Sequence, residues 1–209
     1  MLNQDLAAPQ RRLLVSLARK RAQPGSGSSL AFLQQRTWRY PMASLQTILK
    51  SAPFVVVGGV ATRLYMPERM TLDIDILVKT EDRPVVYQDL NCAGAVQVGV
   101  LSIGGSQWRL AEGENLDVLE ADGDWVEAAL AQPNYSPDGL PIIALPYLVL
   151  MKLAASRVQD LADVSRMVGL AAEDELIAIR EAVNLYLPTA REDLESLILL
   201  GKLEIGAGR

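Results

Sequence analysis

Apolar positions change their rhythm several times along the chain. Leu6, Leu13, Leu14, Leu17 and Ala18 recur at helical spacing, which predicts a basic amphipathic helix over residues 4–22. The run PGSGSS at 24–29 breaks that pattern and reads as a flexible linker. A second helical stretch covers about 42–51. It gives way to Phe54-Val55-Val56-Val57, a short β-branched run ending in Gly58-Gly59, which predicts a buried strand. The following VATRLY fits a short helix that stops before Pro67. TLDIDILV at 71–78 alternates polar and apolar residues, so it predicts a strand with two distinct faces. Further strands are predicted at 96–103, 107–111 and 115–120, with Gly104-Gly105 as a hairpin turn. Asp124 is placed to cap a helix over 125–131, and 140–145 reads as extended. From Pro146 onward the pattern is helical, over about 146–156, 158–168, 173–185 and 190–200, with a frayed tail after Gly201. No internal repeat is visible. The expected fold is α+β: a small mixed β-sheet core flanked by helices, with a C-terminal helical bundle. It divides into a basic helical leader and linker (1–40), the core (41–145) and the helical region (146–209).

Composition narrows the chemistry more than the fold. A length of 209 residues favours one domain, or one domain with a helical extension. No apolar run reaches the ~18 residues that span a bilayer, so no membrane segment is expected. The first residues lack the features of a secretory signal. The single cysteine, Cys92, excludes an intrachain disulfide and fits a reducing, cytoplasmic location. The absence of histidine excludes imidazole zinc sites, Ser-His-Asp triads and histidine general bases. Chemistry must therefore run on carboxylates, Lys, Arg, hydroxyls and bound metal. The net charge of −5 hides a split: residues 1–67 carry nine Lys/Arg against one acid, and the remainder is strongly acidic. Such polarity suggests a basic arm for nucleic acid, an arm folded onto its own acidic body, or a solvated leader.

The strand at 71–78 carries the informative pattern. Side chains two apart share a face, so Arg69, Thr71, Asp73 and Asp75 line one side and Leu72, Ile74, Ile76 and Val78 the other. Two carboxylates ~7 Å apart along a half-buried strand are costly unless something neutralises them. A hard divalent cation does so, and Mg²⁺ typically takes one or two carboxylates plus substrate phosphates. The alternative is a solvent-facing strand whose acids are merely solvated, or pair with Arg69 and Arg63. Gly58-Gly59 shifts the balance: a bare backbone opening a helix lets a triphosphate approach the N–H groups closely. With Arg69 and Thr71 on the same face, the set reads as a magnesium–triphosphate site, with Mn²⁺ as the other candidate metal.

The stretch VVVGGVATRLYMPERMTLDIDILV resembles the first motif of the nucleotidyltransferase superfamily that shares its fold with polymerase β. It is most similar to the branch of minimal nucleotidyltransferases and AbiEii-like toxins, in which G-G-x-A and R-x-T-x-D-I-D occur together. The match covers residues 54–78, and departs from the better-known form in having Gly-Gly where many members have Gly-Ser. The resemblance implies transfer of a nucleoside monophosphate from a nucleoside triphosphate to an acceptor hydroxyl. It also implies a third carboxylate on a later strand. Asp117, the lone acid within Leu116-Asp117-Val118-Leu119, fits as metal ligand or general base. LVLMKLAASRVQDLADV is similar to a Lys-x-x-Ala…Arg…Asp-x-x-Asp stretch of AbiEii-like proteins. On that likeness Lys152 would meet the triphosphate or leaving pyrophosphate, and Asp160 would act on the acceptor side. A helix junction held by Arg157 and Asp160 is the other reading.

The toxin branch implies RNA (tRNA ends, for example) or a protein as acceptor, and an antitoxin as partner. The basic leader with Trp38 and Tyr40 would suit a polyanion. Transfer to a small hydroxylated molecule is the second enzymatic reading. A nucleotide-binding or interaction protein that kept the fold without turnover is the third. The oligomeric state is open from sequence, since the Leu/Ala-rich helices at 170–200 suit either the chain's own bundle or a dimer face.

Overall fold

Three consecutive valines set the centre of the sheet. In the computed structural model, which describes residues 4–22, 45–66 and 73–206, Val55, Val56 and Val57 are wholly buried. They form β1 (Val55–Val57), the β-branched run favouring extended backbone. This strand pairs antiparallel with β2 (Ile74–Lys79) and parallel with β7 (Pro141–Ile142). The described residues fall into two compact units. One comprises 45–64 and 73–144; the other comprises 4–22, 65–66 and 145–206.

The first unit is a seven-stranded mixed sheet in the order β3-β4-β5-β2-β1-β7-β6. Its remaining strands are β3 (Val96–Val100), β4 (Gly105–Arg109), β5 (Asn115–Ala121) and β6 (Asn134–Tyr135). The β2–β5 pair is parallel; β3–β4, β4–β5 and β6–β7 are antiparallel. The predicted turn at Gly104-Gly105 closes the β3–β4 hairpin, where Gly104 has a φ of +99°. A Cβ on Gly105 would lie 1.9 Å from the Val118 carbonyl oxygen, so only glycine lets the two backbones approach. The helices of this unit are the single turn α2 (Leu45–Ile48), α3 (Gly58–Tyr65), α4 (Arg83–Cys92) and α5 (Asp124–Ala131).

In this unit the helix α4 and the start of α5 depart from the sequence expectation. The helix α4 was not expected, and it rests on one buried pair, Val86 and Leu90, four residues apart. Its Asp89 carboxylate accepts hydrogen bonds from the Lys50 and Ser51 amides and the Ser51 hydroxyl, each at 2.8 Å, fastening the approach to β1. Asp124 is the first helical residue of α5 rather than its cap, and Gly123 (φ +108°) takes the cap position. The negative charge of Asp124 still serves the helix start through the macrodipole.

The second unit contains α1 (Gln4–Arg21), α6 (Leu145–Ala155), α7 (Val158–Leu170), α8 (Glu173–Tyr186) and α9 (Arg191–Ile205). Leu148, Val149, Val164, Val168, Ile179, Val183, Leu194 and Leu197 form its core. The expectation that the last helix ends at residue 200 with a frayed tail is corrected, since α9 runs to Ile205 and Gly206 closes it with φ +77°. Gly201 is instead a crossing point: a Cβ there would fall 2.0 Å from the Ser165 carbonyl oxygen and 2.9 Å from the Gly169 Cα. The missing side chains let α7 and α9 touch backbone to backbone.

The leader helix forms, and its buried face differs from the expected one. Leu13 and Leu17 are exposed, while Arg11 and Val15 are buried. Arg11 decides the rotation. Its Nε donates to Asp193 Oδ2 at 2.6 Å, and its Nη1 donates to the Leu153 carbonyl and the Ser156 hydroxyl, both at 3.1 Å. One cation of the basic leader is thus held in a buried ion pair on α9, and the leader folds onto the acidic part of its own unit. Among the described residues no helix is long and apolar enough to cross a membrane.

Candidate functional site

Strand register brings the predicted acids of the first unit together. On β2, Asp75 pairs with Asp117 of β5, so the two carboxylates lie side by side on neighbouring strands, ~4.8 Å apart at the backbone. Asp73 stands just before β2 and is exposed; its Oδ1 accepts a hydrogen bond of 3.4 Å from Asn115 Nδ2. The polar face of β2 is short. Leu77, of the same parity as Asp73 and Asp75, is buried, so the acids are confined to the N-terminal end of the strand, and the next polar residue of that parity is Lys79 at the other end.

The glycine turn sits against this pair. Val57 of β1 is in register with Asp75, and Gly58 follows at once with φ +62°. A Cβ on Gly58 would lie 2.0 Å from Asp75 Oδ2. Gly58 opens α3, and its carbonyl accepts a 2.7 Å hydrogen bond from the Thr62 hydroxyl one turn on. Gly59 is half-buried beside it in the first turn of the same helix. Bare backbone at a helix start therefore adjoins the carboxylate pair. We predict that Gly58→Ala disables the site and costs ~2–4 kcal/mol of stability, from the left-handed φ and the clash together. Urea unfolding checks the second part, and a change under 1 kcal/mol would contradict the packing described.

Two residues join the site that sequence reasoning did not select. Gln107 on β4 is the register partner of Asp117 and donates from Nε2 to Asp117 Oδ1 at 3.3 Å. Asn115, on β5, holds Asp73. The signal for Gln107 was its place between Ser106 and Trp108, both buried on the opposite face of β4. Burial pushes the Asp117 carboxyl above the usual carboxylate range; the Gln107 hydrogen bond pulls it down, and the Asp73 charge pushes it up again.

The donor set suits a hard cation in kind, being oxygen-only and carrying mutual repulsion that a cation would relieve. Among the described residues no three acid side chains already close on one point. A cation held here would complete its shell with water and phosphate oxygens, as Mg²⁺ commonly does. Arg69 and Thr71, predicted on the same face, lie outside the described residues, as do Trp38 and Tyr40.

Lys152 and Asp160 belong to the second unit, on α6 and at the start of α7. Lys152 is buried, and its Nζ donates to Asp163 Oδ2 at 2.8 Å and to Asp160 Oδ1 at 3.3 Å. Arg157 pairs with Asp160, and Gln159 Nε2 donates to Asp163 Oδ1 at 2.9 Å. Two cations and two anions thus form one knot at the α6–α7 junction.

No protein-family model matches the chain, and no curated protein sequence matches it either. Several solved structures are similar to it. A crystal structure of ANT(2″)-Ia in complex with adenylyl-2″-tobramycin is 18% identical, with a TM-score of 0.43, covering 76% of this chain and 94% of that one. The Thermotoga maritima CCA-adding enzyme complexed with tRNA is 17% identical, with a TM-score of 0.39, covering 84% of this chain and 53% of that one. The Megavirus polyadenylate synthase is 9% identical, with a TM-score of 0.39, covering 95% and 46%.

Proposed function

We propose that the chain is a metal-dependent nucleotidyltransferase that moves a nucleoside monophosphate from a nucleoside triphosphate to an acceptor hydroxyl. The observation that carries this reading is the placement of Asp75 beside Asp117, with Gly58 packed against Asp75 at a helix start. Asp73 and Asp75 would hold Mg²⁺ or Mn²⁺, with Asp117 as a further ligand; the bound cation would supply charge neutralisation and polarise the α-phosphate. The backbone of Gly58 and Gly59 receives the phosphates, since no side chain stands between them and the helix N–H groups. Where Asp117 is not itself a ligand, it would accept the proton of the acceptor hydroxyl as that oxygen attacks the α-phosphorus and pyrophosphate leaves. None of these roles needs histidine. The motif resemblance of residues 54–78 supports the finer proposals of an AbiEii-like, toxin-type enzyme of the cytoplasm with an antitoxin as partner. RNA is its proposed acceptor class.

The test is incubation with each labelled triphosphate in turn, Mg²⁺ and total tRNA. Label should enter RNA. Absence of transfer to RNA, protein or a small hydroxylated acceptor, together with no binding of triphosphate at millimolar concentration, would remove the enzymatic reading.

The Asp117 shift has a thermodynamic signature of its own. A carboxyl raised above its unfolded value stabilises the fold only while protonated, and that contribution is lost as pH rises through the folded value. Asp117→Asn should therefore raise the melting temperature at neutral pH, by about 1–3 °C once solvent screening is allowed for. The gain should vanish at low pH, where the wild-type carboxyl is also neutral. Loss of stability at neutral pH would contradict the assignment.

A further inference from the structure

The longest uncharged stretch of the sequence runs from Leu90 to Trp108, in a chain of which 22% is charged. It holds β3, the turn after it and most of β4. β3 is the outermost strand of the sheet, so among the described residues one side of its backbone has no strand beside it. Natural sheet edges are guarded by charge, proline, a bulge or brevity. β3 bulges at Val98, but its five residues, Val-Gln-Val-Gly-Val, carry neither charge nor proline. The opposite edge, β6, is only two residues long.

Apolar side chains crowd the open edge. Val96 is 62% exposed, Val98 54%, Val100 78% and Ile103, in the turn, 69%. The bulge distributes them over both sides of the sheet. Val96 opposes Arg109 and Val100 opposes Ser106, positions of opposite parity on β4 and hence on opposite faces. Beyond the bulge the strand is regular. The Leu101 amide donates to the Gly105 carbonyl at 3.0 Å, so by alternation the N–H and C=O of Val100 point away from β4. The most exposed valine therefore stands where the backbone presents its outward groups.

The chemistry of the edge selects its occupant. Outward N–H and C=O groups at strand spacing are matched by another extended backbone. That backbone must be uncharged where it meets the valines, since a charge there would lose its water. β3 of a second copy meets both conditions. Among the described strands, β2, β4 and β5 carry charged residues, β1 is buried, and β6 and β7 are two residues long. Two copies with a net charge of −5 repel each other in general, but β3 brings no charge to the contact. The helical region offers a poorer face. Ile177 and Leu185 are exposed on α8, but exposed Glu181 lies between them, and a second copy would meet it with its own acid.

We propose that two copies of the chain pair antiparallel through β3, about a twofold axis near Val100, into one sheet continuous across the dimer. The pairing uses the edge of the sheet, not the face that carries Asp75 and Asp117, so it stands apart from the nucleotidyl-transfer reading. The test is sedimentation velocity of the full chain from about 1 to about 300 µM, with hydrogen exchange at both ends of the series. The mass should rise from 22.8 kDa toward twice that value, and amides of residues 98–102 should exchange more slowly as it does. Val100→Lys should weaken association about tenfold or more, because the axis sets two like charges together. Val100→Glu should do the same. An equimolar mixture of the two variants should associate again, a rescue that a misfolded chain could not give. The Val100 side chain is exposed, so each variant should melt with the wild type. Added salt should leave the wild-type pair intact.

A monomer across the whole series would overturn the proposal. So would a dimer that ignores Val100→Lys, since another face would then join the copies. Slow exchange of residues 98–102 at every concentration would mean that the edge is already covered within one chain. Growth past the dimer would mean that the contact does not close on itself. Each of these results would also overturn it.

Discussion

Asp75→Asn is expected to lower nucleotidyl transfer ~10³-fold or more, equivalent to ~4 kcal/mol of transition-state stabilisation, while the chain stays folded. Asn keeps the shape that packs against Gly58, where the approach is too close for any Cβ. It removes one of two charges that face each other across the β2–β5 register. Asn keeps the volume and one hydrogen-bonding oxygen, so the fold is expected to survive the substitution. Catalysis loses a carboxylate that would neutralise a cation and, through it, the triphosphate. The measurement is a pair: labelled-nucleotide transfer per mole of enzyme, and melting temperature by circular dichroism. A loss below tenfold in the folded variant would take Asp75 out of the chemistry. A collapse in melting temperature would mean that the carboxylate serves the fold. Asp73→Asn is the companion, and Asn115, which donates to Asp73, should keep that end in place.

The acid pair was legible because its signal is local. Asp73 and Asp75 share a face by strand alternation, and Gly58-Gly59 lies only fifteen residues upstream of Asp73. The same locality made the β3–β4 turn and the four C-terminal helices visible, as each is written in a window of a dozen residues. What failed was whatever depends on distant partners. Leu13 and Leu17 looked like the inward face of the leader until Arg11 met Asp193, 182 residues away. Gly201 looked like a helix end because glycine is a poor helix former. Its real role required Gly169 and Ser165 on another helix. The helix α4 was invisible because only two of its ten residues, Val86 and Leu90, are buried, which leaves almost no apolar period to read. Gln107 joined the site only through the β4–β5 register. Fold class is therefore readable from periodicity here, whereas the width of the site is a property of strand pairing.

The largest stability loss is expected for Lys152→Met. Lys152 Nζ lies between Asp163 and Asp160, at 2.8 Å and 3.3 Å, and all three side chains are less than a tenth exposed. Removing the cation takes from two buried carboxylates the ammonium they share, with Arg157 and Gln159 among the partners that stay. Breaking a buried pair from one side typically costs ~3–5 kcal/mol, because the abandoned charge cannot reach water. The loss should appear as a lower urea midpoint at an unchanged slope. The knot as a whole need not be stabilising. Replacing Lys152 together with Asp160 and Asp163 by apolar residues of similar volume should recover most of the loss, since no charge is then left stranded. The same variants decide between the two roles open to Lys152. A lysine that reaches a triphosphate predicts a raised KM in the single Lys152→Met variant at nearly unaltered stability. It also predicts that activity stays low in the apolar triple variant even when stability returns. A lysine that serves the α6–α7 junction predicts the opposite: activity follows the folded fraction, and the triphosphate KM of the folded molecules stays where it was.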